Sequence, residues 1–230
     1  MEVKKYVDAL IQHATDHHRP HEFALVDFMD YLIKFSGIEK FLKGSDEAIQ
    51  AYHQTLREED SVFYELAICW LLDVVKAMDR GEYLDLFGLL YESLYLTRSK
   101  ASHTGQFFTP GSISTLCAEM LDENREGGTV SDCAVGSGRL LLAHYMKVTK
   151  TDHSRGRRFK YEGQDSDIIA CKMCALNLMV HGMNGTVICR DTLANSTPTV
   201  IYHINEVRYP IPTMYYSIRA ELPQTAKDKL

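Results

Sequence analysis

The chain has 230 residues, of which 45% are hydrophobic and 24% charged, as is typical of a globular protein with a buried core. Its formal net charge of -6 excludes a uniformly basic nucleic-acid-binding surface, so that contact with DNA would need a local basic patch or a partner subunit. No uninterrupted apolar stretch approaches the length of a membrane span, and the N-terminus has no signal-peptide run. We therefore expect a cytoplasmic protein without membrane contact.

Apolar residues recur at helical spacing through the first hundred residues. Gly37 and Gly81 stand where two of these helices would end. The predicted helices begin near Val3, Leu25, Ser45, Ser61 and Asp85. We predict an all-helical domain over residues 1–98.

Histidines and cysteines in two places have spacings that metal sites use. His13, His17, His18 and His21 fall at a helix end with no acid arranged around them, which favours a solvated turn. Cys171 and Cys174 lack a second close pair, which favours neighbouring thiols on one helix. We predict no metal site.

Strands alternate with helices after the loop that includes Gly105 and Thr109. Thr109 and Pro110 predict a helix start, with Thr109 as the N-cap. The predicted strands are TVSDCAV, FKYEGQD and TVICRD. This order predicts an α/β domain over residues 99–230 with a parallel, Rossmann-like but incomplete sheet. A Tyr-rich tail after Asp191, comprising Tyr202, Tyr209, Tyr215 and Tyr216, or a second copy of the chain, would cover its edge.

The first predicted strand runs into Asp132-Cys-Ala-Val-Gly136-Ser137-Gly138. Glycines here permit a tight strand-to-helix turn and close approach of a ligand to the backbone. The third glycine of the dinucleotide fingerprint is missing, and no Gly-Lys-Ser/Thr of a phosphate loop follows. A purely structural turn remains the alternative.

An acid follows each of the other two predicted strands. Asp165 is placed to accept hydrogen bonds from both hydroxyls of a ribose, although Asp165 or Asp167 could equally cap the next helix. Asp191 could accept a hydrogen bond from an adenine amino group. Carboxyl ends of parallel strands meet at one edge of a sheet, so these acids and Asp132 should lie together.

The motifs, taken in order, resemble those of the adenine-specific DNA methyltransferases, most of all the modification subunits of type I restriction–modification systems. They are Gly105-Gln-Phe-Phe-Thr-Pro110, Asp132-Cys-Ala-Val-Gly-Ser-Gly138, Glu162-Gly-Gln-Asp165, Asn177-Leu178 with His181-Gly-Met183, and Asp191-Thr-Leu193. The resemblance covers about residues 85–195. It implies a methyltransferase fold that binds S-adenosylmethionine, with Leu193 flanking the adenine. The cofactor-binding residues implied are Phe108, Thr109, Pro110, Asp132, Ala134, Gly136, Ser137, Gly138, Asp165 and Asp191.

The family's catalytic Asn-Pro-Pro-Phe/Tyr motif is absent from the sequence. Asn205 with Tyr209-Pro210 is the nearest imitation, in the wrong order and spacing. We expect an adenine-N6 methyltransferase relative that acts on DNA through a partner subunit, as a homodimer or hetero-oligomer. The alternatives are a non-catalytic cofactor-binding or interaction module, and a small-molecule methyltransferase.

Overall fold

The computed structural model describes most of the chain, with gaps within the chain and at both ends. The described residues are 3–36, 46–95, 109–121, 126–150, 154–206 and 217–223. Within them, no helix is long and apolar enough to span a membrane.

Helices build the first part of the chain, as the sequence predicts. They are α1 (Val3–Asp16), α2 (His21–Phe35), α3 (Asp46–Glu59), α4 (Ser61–Asp79) and α5 (Leu86–Leu94). Asp60 and Asp85 are the N-caps of α4 and α5, where each carboxylate accepts a hydrogen bond from a backbone N–H. Gly81 follows α4 with a φ of 72°, the left-handed conformation expected of a glycine after a helix. The predicted helix end at Gly37 lies outside the described residues.

Aromatic side chains fill the core of the helical part. Trp70 is 1% exposed and meets the ring of Phe87 edge to face, with 5.1 Å between the ring centroids. His13 also belongs to this region, since its ring stacks on Phe63 at 4.1 Å and its Nε2 lies 2.6 Å from Asp60 Oδ2. The prediction of a solvated turn is therefore wrong for His13, because Asp60 gives its ring a polar partner at the core. His17, His18 and His21 are exposed.

The second part contains a sheet of five strands in the order β1-β2-β3-β4-β5. The strands are β1 (Gly128–Asp132), β2 (Phe159–Asp165), β3 (Gly185–Cys189), β4 (Val200–Ile204) and β5 (Ile218–Glu221), and the helices are α6 (Gly111–Met120), α7 (Arg139–Thr149) and α8 (Ile168–Val180). The strands β1, β2 and β3 are parallel and are joined through α7 and α8. This half of the sheet agrees with the predicted parallel, Rossmann-like topology.

After Asp191, where the sequence is ambiguous, the chain adds two more strands to the sheet. The strands β4 and β5 are antiparallel to their neighbours, so the sheet is mixed. Ten residues, 190–199, separate β3 from β4, which is shorter than the crossover of a dozen or more residues that parallel strands need. Tyr202 in β4 is 4% exposed, which agrees with a tail that packs on the sheet edge. Tyr209, Tyr215 and Tyr216 lie outside the described residues.

The helix α6 begins one residue later than predicted. Pro110 is its N-cap, with an extended ψ of 143°, and makes no side-chain capping bond. Because the backbone turns helical only at Gly111, Thr109 is not the N-cap.

The helix α8 joins the two parts, because it packs against β2 and β3 and also against α2 and α5. Cys171 and Cys174 are fully buried neighbours on this helix, which confirms their interpretation as helical thiols. Buried residues of both parts form one hydrophobic cluster. The boundary between residues 98 and 99 falls outside the described residues and stays a prediction.

A basic segment, Arg155–Arg158, forms a short 3-10 helix directly before β2. It therefore lies at the amino end of the parallel strands, opposite the edge that carries Asp165. Arg158 pairs with Glu126 at 2.5 Å on the surface.

Candidate cofactor site

The carboxyl ends of β1, β2 and β3 bring the predicted acids to one edge of the sheet. Asp132 is in register with Gly163, and Asp165 with Cys189, two residues before Asp191. Adjacent strands lie about 4.8 Å apart, so the three acids span a distance comparable with a nucleoside. The parallel topology thus produces the juxtaposition that the sequence predicts.

The loop between β1 and α7, residues 133–138, depends on two glycines and is called the glycine loop below. Gly136 and Gly138 have φ angles of 54° and 90°, in the region that only glycine adopts without strain. A Cβ at Gly138 would lie 3.0 Å from the Sγ of buried Cys174. These glycines are required to make the turn, and the turn exposes the backbone of residues 134–136 at the strand edge.

Asp165 holds the glycine loop in place. Its Oδ2 accepts a hydrogen bond from Gly136 N at 3.0 Å, and its Oδ1 accepts one from Asp167 N at 3.0 Å. The helix N-cap is Asp167, whose carboxylate accepts from Ile169 N at 2.8 Å. A ribose would therefore have to use the remaining lone pairs of Asp165.

Asp132 and Asp191 each use one oxygen in their own turn. Asp132 Oδ1 accepts from Ala134 N at 3.0 Å, and Asp191 Oδ1 accepts from Ala194 N at 3.0 Å. Among the described residues, nothing donates to the second oxygen of either carboxylate. Both acids therefore present an acceptor to a ligand at this edge.

The described residues enclose a small cavity of about 50 Å³ beside the glycine loop. It is lined by Thr109, Asp132, Ala134, Val135, Gly136, Ser137, Arg139 and Leu140. Leu193 is fully exposed beside Asp191, which suits contact with the flat face of a base. Pro110 lies next to Thr109 at the start of α6, and Phe108 lies outside the described residues. The described residues thus form only a small cavity at this edge of the sheet.

The hydroxyl of Ser137 has a partner within the protein. The side chain is buried, and its Oγ donates a 2.6 Å hydrogen bond to Asp85 Oδ2. The hydroxyl is part of a buried polar network that the sequence reasoning missed.

Asp85 is the centre of that network and is only 4% exposed. Besides Ser137 and its own helix, its carboxylate accepts hydrogen bonds from Arg139 Nε at 2.5 Å and from Asn177 Nδ2 at 2.7 Å. Burial alone would lower the pKa of Arg139, but the carboxylates of Asp85 and Glu92 outweigh burial and raise it. The guanidinium is therefore a permanent charge inside the protein.

His181 completes the network at the end of α8. It is 1% exposed; its Nδ1 donates to Asn177 O at 2.7 Å, and its Nε2 accepts from Leu84 N at 3.2 Å. Burial lowers the pKa of His181 to about 4. The ring is thus neutral near pH 7 and bonds α8 to the residue before Asp85. Polar residues such as Asn177 inside an apolar helical run were the signal available in the sequence.

A larger cavity of about 480 Å³ lies between α6, α7 and the connection from α4 to α5. It contains acids and bases together, among them Glu82, Glu119 and Lys150. Lys147 in its wall donates to carbonyl groups at the end of α6. Arg139 and Asp85, which belong to the buried polar network, also line this cavity.

Asn205 lies at the opposite edge of the sheet. It follows the end of β4, which is in register with the start of β3. Its Nδ2 donates to Met179 O and Met183 O, each at 3.0 Å, and its Oδ1 accepts from Ser217 N at 2.9 Å. Its side chain therefore closes a turn at the edge opposite the acids, which argues against a catalytic role for Asn205.

We predict that Asn205→Ala lowers the free energy of unfolding by about 2 kcal/mol, since it removes these hydrogen bonds and places alanine at a positive φ. Urea unfolding measures this loss. Ligand binding at the glycine loop should stay within about twofold of the wild type. A variant of normal stability with lost ligand binding would contradict the structural role.

Comparison with known proteins identifies the family. The profile described as N-6 DNA Methylase matches residues 82–214, more than half of the chain and the whole of the site described above. The chain belongs to the N-6 DNA methylase family. This confirms the resemblance drawn from the motifs.

The chain is also similar to individual proteins. The type I restriction enzyme MjaIX methylase subunit of Methanocaldococcus jannaschii is 31% identical over 110 residues, which are 47% of this chain and 19% of that protein. The HindI methylase subunit of Haemophilus influenzae is 26% identical over 170 residues, covering 66% of this chain and 38% of that protein. A type I restriction-modification system methyltransferase subunit from Streptococcus thermophilus matches in structure with 25% identity and a TM-score of 0.37, over 84% of this chain and 40% of that one. The chain therefore spans about a fifth to two fifths of the length of these relatives.

Proposed function

We propose that this member of the N-6 DNA methylase family binds S-adenosylmethionine at the carboxyl edge of β1, β2 and β3. The observation that carries the proposal is the meeting of Asp132, Asp165 and Asp191 around a left-handed glycine loop. Carboxylates are acceptors, and the cofactor offers donors at its ammonium, its ribose hydroxyls and its adenine amine. The donor set of the ligand and the acceptor set of the site match.

Each part of the cofactor has residues that suit it. Asp132, the loop residues Ala134, Gly136, Ser137 and Gly138, and the segment Phe108, Thr109 and Pro110 would hold the methionine part. Asp165 would accept from the ribose, and Asp191 from the adenine amine, with Leu193 against the ring. When bound, the cofactor supplies an activated methyl group. The residues of this chain bind and orient it.

We further propose that the chain is the cofactor-binding part of an adenine-N6 DNA methyltransferase of the type I modification-subunit kind. The catalytic Asn-Pro-Pro-Phe/Tyr motif is absent from the sequence, and the nearest imitation, at Asn205, has a structural role. A partner polypeptide would supply the catalytic and DNA-recognition elements. In the described part of the sheet, β1 lies at an edge with Thr129 and Ser131 exposed, which leaves main-chain groups beside the glycine loop for another strand.

The absence of the motif also supports a second candidate, a non-catalytic module that binds the cofactor without transferring its methyl group. The two functions differ in one experiment. Labelled S-adenosylmethionine and DNA are incubated with the chain alone and with the product of a neighbouring gene that encodes Asn-Pro-Pro-Phe/Tyr. We expect transfer to adenine only with the partner; transfer by the chain alone would contradict the need for one, and no transfer with either would favour the module.

Binding itself is tested by calorimetric titration of S-adenosylmethionine into the wild type, Asp191→Ala and Asp165→Ala. We expect saturable binding that either substitution weakens by at least about tenfold, equivalent to about 1.4 kcal/mol. Asp79→Ala, at an exposed carboxylate at the end of α4, is the matched control and should bind like the wild type. Equal affinity in all four proteins would refute the site, and no binding by the folded wild type would refute the function.

A further inference from the structure

Asp85 lies in the helical part of the chain, outside the strand edge, yet it contacts the glycine loop directly. Its buried carboxylate accepts from Ser137 Oγ at 2.6 Å and from Arg139 Nε at 2.5 Å, the residues on either side of Gly138. The glycine loop is therefore held in place by a residue of the helical part of the chain. Hydrogen bonds to a charged group are stronger than those between neutral groups, particularly in a buried site.

The hydrogen-bond partners of Asp85 in turn contact other residues around the site. Arg139 Nη1 donates to Thr109 O at 3.2 Å, in the segment predicted to hold the methionine part of the cofactor. Asn177 Nδ2 donates both to Asp85 Oδ1 at 2.7 Å and to Ser137 O at 2.8 Å. Three segments that are distant in sequence are thus bonded to one another through one buried group.

Local packing is arranged around this carboxylate. Asp85 is the N-cap of α5, where it accepts from Gly88 N at 2.9 Å. A Cβ at Gly88 would overlap the carboxylate of Asp85. A glycine inside a helix is otherwise unfavourable, and here its absence of a side chain gives the acid room to turn toward the loop.

We propose that Asp85 is a positioning residue of the cofactor site: it sets the conformation of the loop from Gly136 to Arg139 and so couples the helical part of the chain to cofactor affinity. This inference rests on the proposed binding of S-adenosylmethionine at that loop. Asp85 touches no ligand, and acts through Ser137, Arg139 and Asn177. Without its charge, Ser137 and Arg139 have a weaker acceptor at this position, although Arg139 keeps its bonds to Glu92 and Thr109, and the loop is less well preorganised for the ligand.

The test compares Asp85→Asn with Asp60→Asn, a matched control. Asp60 is also an N-cap in the helical part, where it accepts from Phe63 N at 2.9 Å, but it contacts no residue of the glycine loop in the described chain. We expect S-adenosylmethionine affinity to fall at least about tenfold in Asp85→Asn and to stay within about twofold in Asp60→Asn. Both affinities are measured without urea, under conditions in which circular dichroism shows that each variant is fully folded.

Ser137→Ala is a second variant, which removes one bond of the network and buries no unpaired charge. We expect affinity to fall by about threefold in Ser137→Ala, and the double variant to bind no more weakly than Asp85→Asn alone, because Asp85→Asn already disrupts the contact with Ser137. If Asp85→Asn does not fold, unchanged affinity in folded Ser137→Ala would overturn the proposal. Additive losses in the double variant, or equal losses in Asp60→Asn and Asp85→Asn, would overturn the proposal.

Amide hydrogen exchange of ligand-free protein separates this inference from the proposed function. Exchange of the amides of residues 136–139 should be at least about tenfold faster in Asp85→Asn than in the wild type, and unchanged in Asp60→Asn. Unchanged exchange and affinity in folded Asp85→Asn would refute the positioning role. If the wild type bound no S-adenosylmethionine, the proposed function would fail, and the exchange comparison alone would decide whether Asp85 sets the loop.

Discussion

A Gly138→Ala variant is expected to lose about 2–5 kcal/mol of unfolding free energy and most of its affinity for S-adenosylmethionine. An L-residue in the left-handed region costs about 1–2 kcal/mol, and Gly138 has a φ of 90°. The new Cβ would also lie 3.0 Å from Cys174 Sγ, and overpacking of this kind costs about 1–3 kcal/mol. The glycine loop would have to move away from α8, and this would displace the residues that are proposed to contact the cofactor.

Gly81→Ala separates the two contributions. Gly81 has a φ of 72°, yet a Cβ there would meet nothing within 4 Å. This control should lose about 1 kcal/mol through backbone strain alone and should bind the cofactor normally. Urea unfolding and calorimetry on both variants give the comparison, and similar losses in the two would show that contact with Cys174 contributes nothing.

Acidification is expected to destabilise the protein through His181. Burial lowers the pKa of this imidazole from its ordinary 6.5 to about 4 in the folded chain. On acidification the unfolded chain therefore takes up a proton before the folded chain does. The free energy of unfolding falls as the pH drops from 6.5 to about 4, and below that pH the contribution of His181 is fully lost. The difference corresponds to roughly 3 kcal/mol. Protonation would also remove the acceptor that Leu84 N uses, where the helical part meets α8.

The measurement is the free energy of unfolding at several pH values between 7.5 and 4 for the wild type and His181→Gln. We expect the variant to be less stable at pH 7.5 but to lose about 3 kcal/mol less on acidification, since only the wild type carries the buried imidazole. Parallel pH profiles of the two proteins would show that His181 is not the group responsible.

The sequence predicts those parts of the site that depend on neighbours along the chain. Asp132 and the glycines of the loop follow a strand and precede a helix, and parallel topology then brings Asp165 and Asp191 to the same edge. Such relations follow from strand direction alone and need no knowledge of side-chain packing.

The parts that the sequence did not predict depend on contacts between distant segments. Asp85 and Asn177 are 92 residues apart, and only the packing of α8 against α5 shows that their side chains meet. The contact of Ser137 with Asp85 was not predicted either, because the loop pattern does not say which way the hydroxyl of Ser137 points. The antiparallel β4 could not be assigned from the sequence, since the residues after Asp191 lack a periodicity that selects a partner strand.

The most direct test of the account is a titration of isotope-labelled protein with S-adenosylmethionine, followed by the amide resonances in ¹H–¹⁵N spectra. We predict saturable shifts at residues 132–138, at Asp165 and Asp167, and at 191–194, with the amides of Gly136 and Gly138 among the largest. The amide of Asn205, at the opposite edge of the sheet, should not move. Saturable shifts confined to other regions, or no shifts in a folded protein, would contradict the cofactor site.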